Sequence, residues 1–245
     1  MRTMLQKMSE VYKMEVATHP PRIAYRETVT ANAEGHHRHK KQTGGAGQFG
    51  EVFLRIEPLP RGTGFEFVDK VYGGAIPHQF IPAVEKGVRM VLESGPLAGY
   101  PVLDVRVTVH DGKSHPVDSK EIAFVSAGKK AFLDAIEKAR AIILEPIVNI
   151  QVTIPDQHMG DITGDLSSRR GHITGTESSR ANISTIAGRV PLSEVSDYQS
   201  KLKSITGGSG SYALELSHYE AVPPNAQQQL ITQYKATRPQ AKDDD

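Results

Sequence analysis

Across residues 147–219 the apolar positions switch repeatedly between a period of two and a period near 3.6, and few folds accept the order of those switches. The run IVNIQVTIP alternates Val148, Ile150, Val152 and Ile154, as one face of a strand does. Met159, Ile162 and Leu166 follow at helical spacing, with Gly171 behind them as a stop. Strands are predicted near 172–175 and 182–190. Leu192, Val195, Leu202 and Ile205 then mark a helix that Gly207 and Gly208 end, and SYALELSHY returns as a strand. No self-similar period of solenoid length interrupts this order.

The order is βαββαβ, the pattern of a ferredoxin-like sandwich. Upstream, from Ile23 to about Pro146, a second pattern makes a separate α+β unit. EVFLRIE puts Val52, Leu54 and Ile56 on one face, and VLDVRVTVH does the same with Val105, Val107 and Val109. A helix is predicted over about 82–94, with Val84, Val88, Val91 and Leu92 inward and Gly95 as its stop. A second begins with Asp118 and Glu121 as a capping-box pair and carries Val125, Phe132, Ile136, Ala139 and Ile143 as one stripe up to LEP. The ends read differently. Leu5, Met8, Val11 and Tyr12 suggest a short helix that THPPR halts, the tail of a domain lying upstream, and 236–245 reads as a disordered acidic tail.

Composition narrows the chemistry. A formal net charge of +1 leaves nucleic-acid contact to local patches, and the absence of cysteine excludes disulfides and thiolate metal sites. No signal-peptide core or membrane span is present, so the expectation is a cytoplasmic chain without a membrane partner.

The stretch EGHHRHKKQTGGAGQFGEV contains a literal GxGxxG at Gly45, Gly47 and Gly50, with Asp69 at a suitable distance beyond. A dinucleotide site needs a helix opening at the last glycine, and EVFLRIE alternates as a strand instead. A P-loop fails as well. Gly112, Lys113 and Ser114 supply only the GKS half, the required first glycine is Val107, and Glu51 and Val52 follow Gly50 where lysine and a hydroxyl are needed. His36, His37 and His39 invite a metal, but no carboxylate lies at ligand spacing, and a solvated strand is the preferred reading. Ser114, His115 and Asp118 lie too close in sequence for a catalytic relay, so no catalytic residue and no cofactor are assigned. What remains is a glycine-rich basic hairpin tip: Arg38, Lys40, Lys41 and Lys113 supply charge near its turns, and Gln48 and His115 offer hydrogen bonds to RNA.

The blocks PPRIAYRETV, QTGGAGQFGEV, YGGAIPHQFIPAVEKGV, GPLAGYPVLDVRV, HPVDSKEIAF, ILEPI, GDITGDLSSRRGHITG, VPLSEVSDYQSKLKSITGGSGSY and YEAVPPN occur in that order. Together they resemble the C-terminal half of elongation factor G and its paralogues, translational GTPases. The resemblance implies the end of domain III over 1–21, an S5 domain 2-like domain IV over 22–146, and a ferredoxin-like domain V over 147–235. It implies that domain IV enters the decoding site of the ribosome during translocation. The tip loops match at Gly44, Gly45, Gly47, Gln48 and Gly50, and at Lys113 and His115.

The partners it implies are 16S and 23S rRNA, the tRNA–mRNA duplex and stalk-base proteins, met by a monomer. Arg169 and Arg170 are expected RNA contacts of domain V, with complementing a helix dipole as their other reading. GTP and Mg²⁺ belong to a GTPase domain outside this sequence, so the chain itself is expected not to hydrolyse GTP. Three departures from the common pattern stand out: Ala46 in place of arginine, a lead-in HHRHKKQT about two residues longer, and Pro116 after His115. They leave a paralogue acting in recycling or ribosome protection as an alternative. A small-molecule phosphotransferase on the S5-like fold is the alternative of another class.

Overall fold

The computed structural model describes residues 10–14, 22–42, 47–179 and 182–237. They fall into two compact units, Tyr25–Asn149 with the chain from Glu215 onward, and Ile150–Leu214 with the chain up to Ala24.

The first unit opens with β1 (Arg26–Thr28) and continues into a sheet of β2 (Ala33–Lys41), β3 (Gln48–Pro58), β4 (Phe65–Asp69) and β5 (Val105–Lys113). Its spatial order is β2-β3-β5-β4, antiparallel except for the parallel β4–β5 pair. The expected alternation holds: Val52, Leu54, Ile56, Val105, Val107 and Val109 are all 0% exposed. Burying a side chain of this size contributes about 1.5–3 kcal/mol. They lie in one core with Val84, Val88 and Val91 of α1 (Ile81–Glu93) and Phe124, Phe132 and Ile136 of α2 (Glu121–Lys138).

The two helices approach so closely that only glycine fits at their crossing. A Cβ on Gly87 would lie 2.1 Å from the Val125 carbonyl oxygen, and one on Gly128 would lie 2.7 Å from that of Val84. A β-bulge between Phe53 and Leu54 leaves His110 of β5 without an opposite residue, since Phe53 faces Asp111 and Leu54 faces Val109.

Two readings of α2 need correction. Its N-cap is Lys120, with no side-chain cap, so Asp118 and Glu121 form no capping box. Its stripe ends at Ala139, because Ile143 belongs to β6 (Ile142–Pro155), which pairs with β1 through Glu27↔Ile143. ILEP is therefore strand, and its Leu144 is 2% exposed.

The second unit takes over at Ile150 of β6, which leads through a 3₁₀ turn into α3 (Met159–Ser168), then β7 (His172–Ser179), β8 (Ile183–Pro191), α4 (Tyr198–Thr206) and β9 (Ser211–Ala221), whose residues from Glu215 on belong to the first unit. Strand β8 lies between β6 and β7, and β9 pairs with β6. This is the βαββαβ order read from the sequence. Ile150, Val152, Ile154, Ile162, Leu166, Ile186, Tyr198 and Leu202 fill its core, each at most 2% exposed. Leu192 and Val195 form a separate 3₁₀ turn rather than the start of α4. Gly207 ends α4 in the left-handed conformation, φ 60°.

A final helix, α5 (Pro224–Thr237), is absent from the sequence reading and includes Ala236 and Thr237 of the expected tail. Its Ala226, Leu230, Ile231 and Tyr234 pack on Ala98, Ile143 and Val222. Gln227 Oε1 accepts the Ile143 N–H at 2.9 Å. Residues 238–245 of that tail, and all but Val11 and Tyr12 of the expected N-terminal helix stripe, lie outside the described residues.

Candidate nucleic-acid interface

The β2–β3 hairpin carries the glycine-rich stretch at its end. Its register pairs Lys41 with Gln48, Lys40 with Phe49, His39 with Gly50 and Arg38 with Glu51. Gly44, Gly45 and Ala46 lie outside the described residues. Strand pairing puts His37 and His39 on the face turned to α2, where Gly35 also meets Ala131 and Ala135, and puts His36, Arg38 and Lys40 on the other.

Next to the hairpin end sits the turn after β5. The Phe49 N–H donates to the Asp118 carbonyl at 2.9 Å, and Ser119 Oγ donates to the Phe49 carbonyl at 3.0 Å. Ser119 Oγ also accepts the His115 N–H at 2.8 Å. Gly47 packs against this turn, where a Cβ would come within 2.8 Å of the Asp118 carboxyl group. Asp118 thus docks the turn on the hairpin instead of capping a helix.

His115 is held in one tautomer. The N–H groups of Val117 and Asp118 donate to its Nδ1 at 3.3 and 3.1 Å, so in the neutral ring the proton sits on Nε2. Asp118 Oδ2 lies 3.4 Å from the same Nδ1, where it pairs with a protonated ring only. The side chain is half exposed, and its ring meets Phe49 edge-on, with centroids 6.3 Å apart. On Phe49 also lies the Arg38 guanidinium, 5.1 Å from the ring centroid.

A cleft of about 270 Å³ opens among these groups, lined by Arg38, Lys40, Lys41, Gln42, Gly47, Gln48, Phe49, His115 and Asp118. Three cations face one carboxylate there, so the cleft attracts anions. Gln48 contributes through a 3.2 Å contact of its Oε1 with His39 Nε2, which leaves its amide NH₂ to donate. The structure thus brings Arg38, Lys40, Lys41, Gln48 and His115 together. Lys113 is not part of the cleft lining; it ends β5, opposite Glu51. Gly50 is a packing residue, whose Cβ would meet the Ala123 carbonyl carbon at 3.2 Å.

Sequence reasoning missed the groups that position this site. Glu51 is 7% exposed and bonds His36 Nε2 at 2.9 Å, and His36 stacks on Phe53 with centroids 4.0 Å apart. Burial and the nearby Lys130 depress the pKa of His37. Among the described residues no group of three or more His, Asp or Glu converges to hold a metal.

The two arginines after α3 have different surroundings. Arg169 is 15% exposed; its Nε donates to Asp165 at 2.9 Å and its Nη1 to Asp197 at 2.8 Å and to the Glu194 carbonyl. Its guanidinium lies 5.5 Å from the Tyr198 ring centroid. Burial pulls its pKa down, but the hydrogen bonds and charges of Asp197 and Asp165 together hold it above its ordinary value. Arg169 is therefore committed inside its own unit. Arg170 pairs with Glu194 at 2.9 Å and is 35% exposed, at φ 60°. It occupies the left-handed position of a helix stop in which the Gly171 N–H returns to the Leu166 carbonyl at 2.8 Å.

Comparison with known proteins agrees with this architecture. The family model for elongation factor G domain IV matches residues 21–140, and that for the elongation factor G C-terminus matches 142–230. The chain belongs to the elongation factor G family. An elongation factor G-like protein from Thermotoga maritima is 48% identical over 228 residues, covering 93% of this chain and 33% of the relative. Elongation factor G from Aquifex pyrophilus is 47% identical, covering 93% of this chain and 32% of its own length. A crystal structure from Thermus thermophilus aligns over 97% of this chain and 35% of that one, with a TM-score of 0.83 and 38% identity. The chain thus spans about a third of the length of these relatives and falls within the C-terminal half of an elongation factor G-like protein, with an S5-like and a ferredoxin-like domain. No described helix is long and apolar enough to cross a membrane.

Proposed function

We propose that this chain is the ribosome-binding part of an elongation factor G-like translational GTPase, and that the β2–β3 tip contacts RNA in the decoding site during tRNA–mRNA translocation. The observation that carries the reading is the tip cleft, where Arg38, Lys40 and Lys41 supply charge beside the Gln48 amide and the outward Nε2–H of His115. Cations position a phosphate backbone, and the two neutral donors supply the short-range polar contacts. Arg170 is the candidate contact of the ferredoxin-like domain with ribosomal RNA. GTP and Mg²⁺ would bind in a part of the intact factor outside this chain, which contributes positioning.

A second reading, action in ribosome recycling, is kept because relatives named elongation factor G and elongation factor G-like protein match this chain almost equally, at 47% and 48%. Both readings are tested with Gln48→Ala and His115→Ala in the full-length factor, measuring single-turnover translocation and subunit splitting in parallel. Loss of two such hydrogen bonds is expected to slow translocation about tenfold or more. Unchanged translocation with impaired splitting would favour recycling, and no change in either would remove the tip from the mechanism.

A further inference from the structure

The Tyr25–Asn149 unit with its C-terminal strand contains a second concavity that shares no residue with the tip cleft. It measures about 390 Å³, and its walls are Arg26, Leu144 opposite it in the β1–β6 register, Tyr219, Leu103, and the loop containing Arg61 and Gly64. A water molecule takes about 30 Å³ of liquid, so the space exceeds what one or two waters fill. Within the range of small-molecule clefts it lies near the lower end.

Two arginines line this space, and the fold uses them unequally. Arg61 Nη1 donates to Thr28 Oγ1 at 3.0 Å and lies 3.9 Å from Asp104 Oδ2. Asp104 is already engaged: its Oδ1 accepts the N–H groups of Gly62 and Gly64 at 3.0 and 2.9 Å, which fixes the loop. Arg26 is placed differently. Its Nε is buried without a hydrogen-bond partner among the described residues. Nothing in the cavity reaches that sealed nitrogen, but Arg26 makes no ion pair among the described residues, so its charge stands uncompensated at the cavity wall. His218, the remaining titratable group of the lining beside Tyr219, is turned to Glu220 at 2.6 Å and Ser217 at 2.9 Å, so it does not compete for an anion.

We infer that this cavity binds a small organic anion: a carboxylate or phosphate received by Arg26 and Arg61, carried on a ring-sized apolar body received by Leu103, Leu144 and Tyr219. The inference is independent of the RNA-binding reading, because it rests on other residues and on a ligand rather than a ribosomal surface. A bare inorganic anion would satisfy the guanidinium and leave the apolar walls wet. A neutral ring would fill the walls and leave Arg26 unpaired. Only the combination answers both.

The test is titration of the ¹⁵N-labelled chain with phenyl phosphate, benzoate, inorganic phosphate and benzyl alcohol, followed by amide shifts. Saturable shifts centred on Arg26, Leu144 and Tyr219 are expected with the two aryl anions, at least about tenfold tighter than with phosphate or benzyl alcohol, a ratio worth about 1.4 kcal/mol. Arg26→Leu should weaken both aryl anions about tenfold or more. Ser217→Phe, which blocks the cavity from an exposed position, should do the same without touching a guanidinium. Equal affinity for phosphate and phenyl phosphate, undiminished binding in both variants, or no saturable shift with either aryl anion would each overturn the inference.

Discussion

Arg169 separates a structural role from an RNA-contacting one by a measurable energy. Replacing it with alanine leaves Asp165, 11% exposed, without its partner, and removes the guanidinium from the Tyr198 ring and from the Glu194 carbonyl. Breaking a fully buried pair costs about 3–5 kcal/mol. Asp197, the other partner, is 70% exposed and adds little after solvent screening. An expected loss of about 2–3 kcal/mol follows. With a urea slope of about 1–3 kcal/mol/M, the unfolding midpoint falls by roughly 1–2 M. Native-state hydrogen exchange of α3, β7 and β8 reads the same loss locally, which a two-unit chain requires. Arg170→Gly is the matched control. It gives up an exposed pair worth at most about 1 kcal/mol and relieves a left-handed backbone by a similar amount, so stability should hardly move. If Arg169→Ala costs less than about 1 kcal/mol and leaves exchange unaltered, the pairing does not hold the unit together and the argument fails.

Two further perturbations test the first unit. Gly87→Ala gains about 1 kcal/mol of helix propensity, but its Cβ would lie 2.1 Å from the Val125 carbonyl, so a net loss of about 2–3 kcal/mol is expected in urea unfolding. Equal or greater stability would mean the helices separate at little cost. The second perturbation is pH at Glu27, whose carboxylate accepts the N–H groups of Ala98, Tyr100 and Leu97 at 2.8, 3.1 and 3.1 Å. Burial raises its pKa, and those backbone donors pull it back without cancelling the rise. The folded chain therefore keeps this proton after the unfolded chain has lost it. Glu27's proton-linked contribution is complete below its unfolded pKa and is lost as pH rises through the folded value. Carboxyl ¹³C shifts should give a midpoint above that of a denatured control, and a lower midpoint would refute the assignment.

Much of the fold was legible because burial and alternation coincide on the strands. Val52, Leu54 and Ile56 show period two because one face of β3 meets helices and the other meets solvent. The capping box was misread because Asp118 is engaged across the chain, accepting from Phe49 through its carbonyl, a contact no local spacing encodes. The short strands β1 and β4 offered few residues to a periodicity argument. Helix α5 did carry a signal, Ala226, Leu230, Ile231 and Tyr234, diluted by the amides Gln227, Gln228, Gln229 and Gln233. At the tip, charge and hydrogen-bonding types were visible beforehand, while the tautomer of His115 and the burial of Glu51 depend on register and tertiary docking.

The unopposed residue at His110 sets the aim of the tip. A bulge bends a ladder and increases its twist, and this one lies on β5 just before the turn that carries His115. Removing His110 would restore an unbroken ladder, with Asp111, Gly112 and Lys113 keeping their partners on β3 and the same faces. The hairpin end would then point elsewhere while the core stayed packed. Removing a neighbour such as Thr108 would instead force a slip that turns valines outward. Deletion of His110 is therefore a length change in β5 that the core tolerates, and it gives this scaffold a way to redirect its reach without rebuilding its interior.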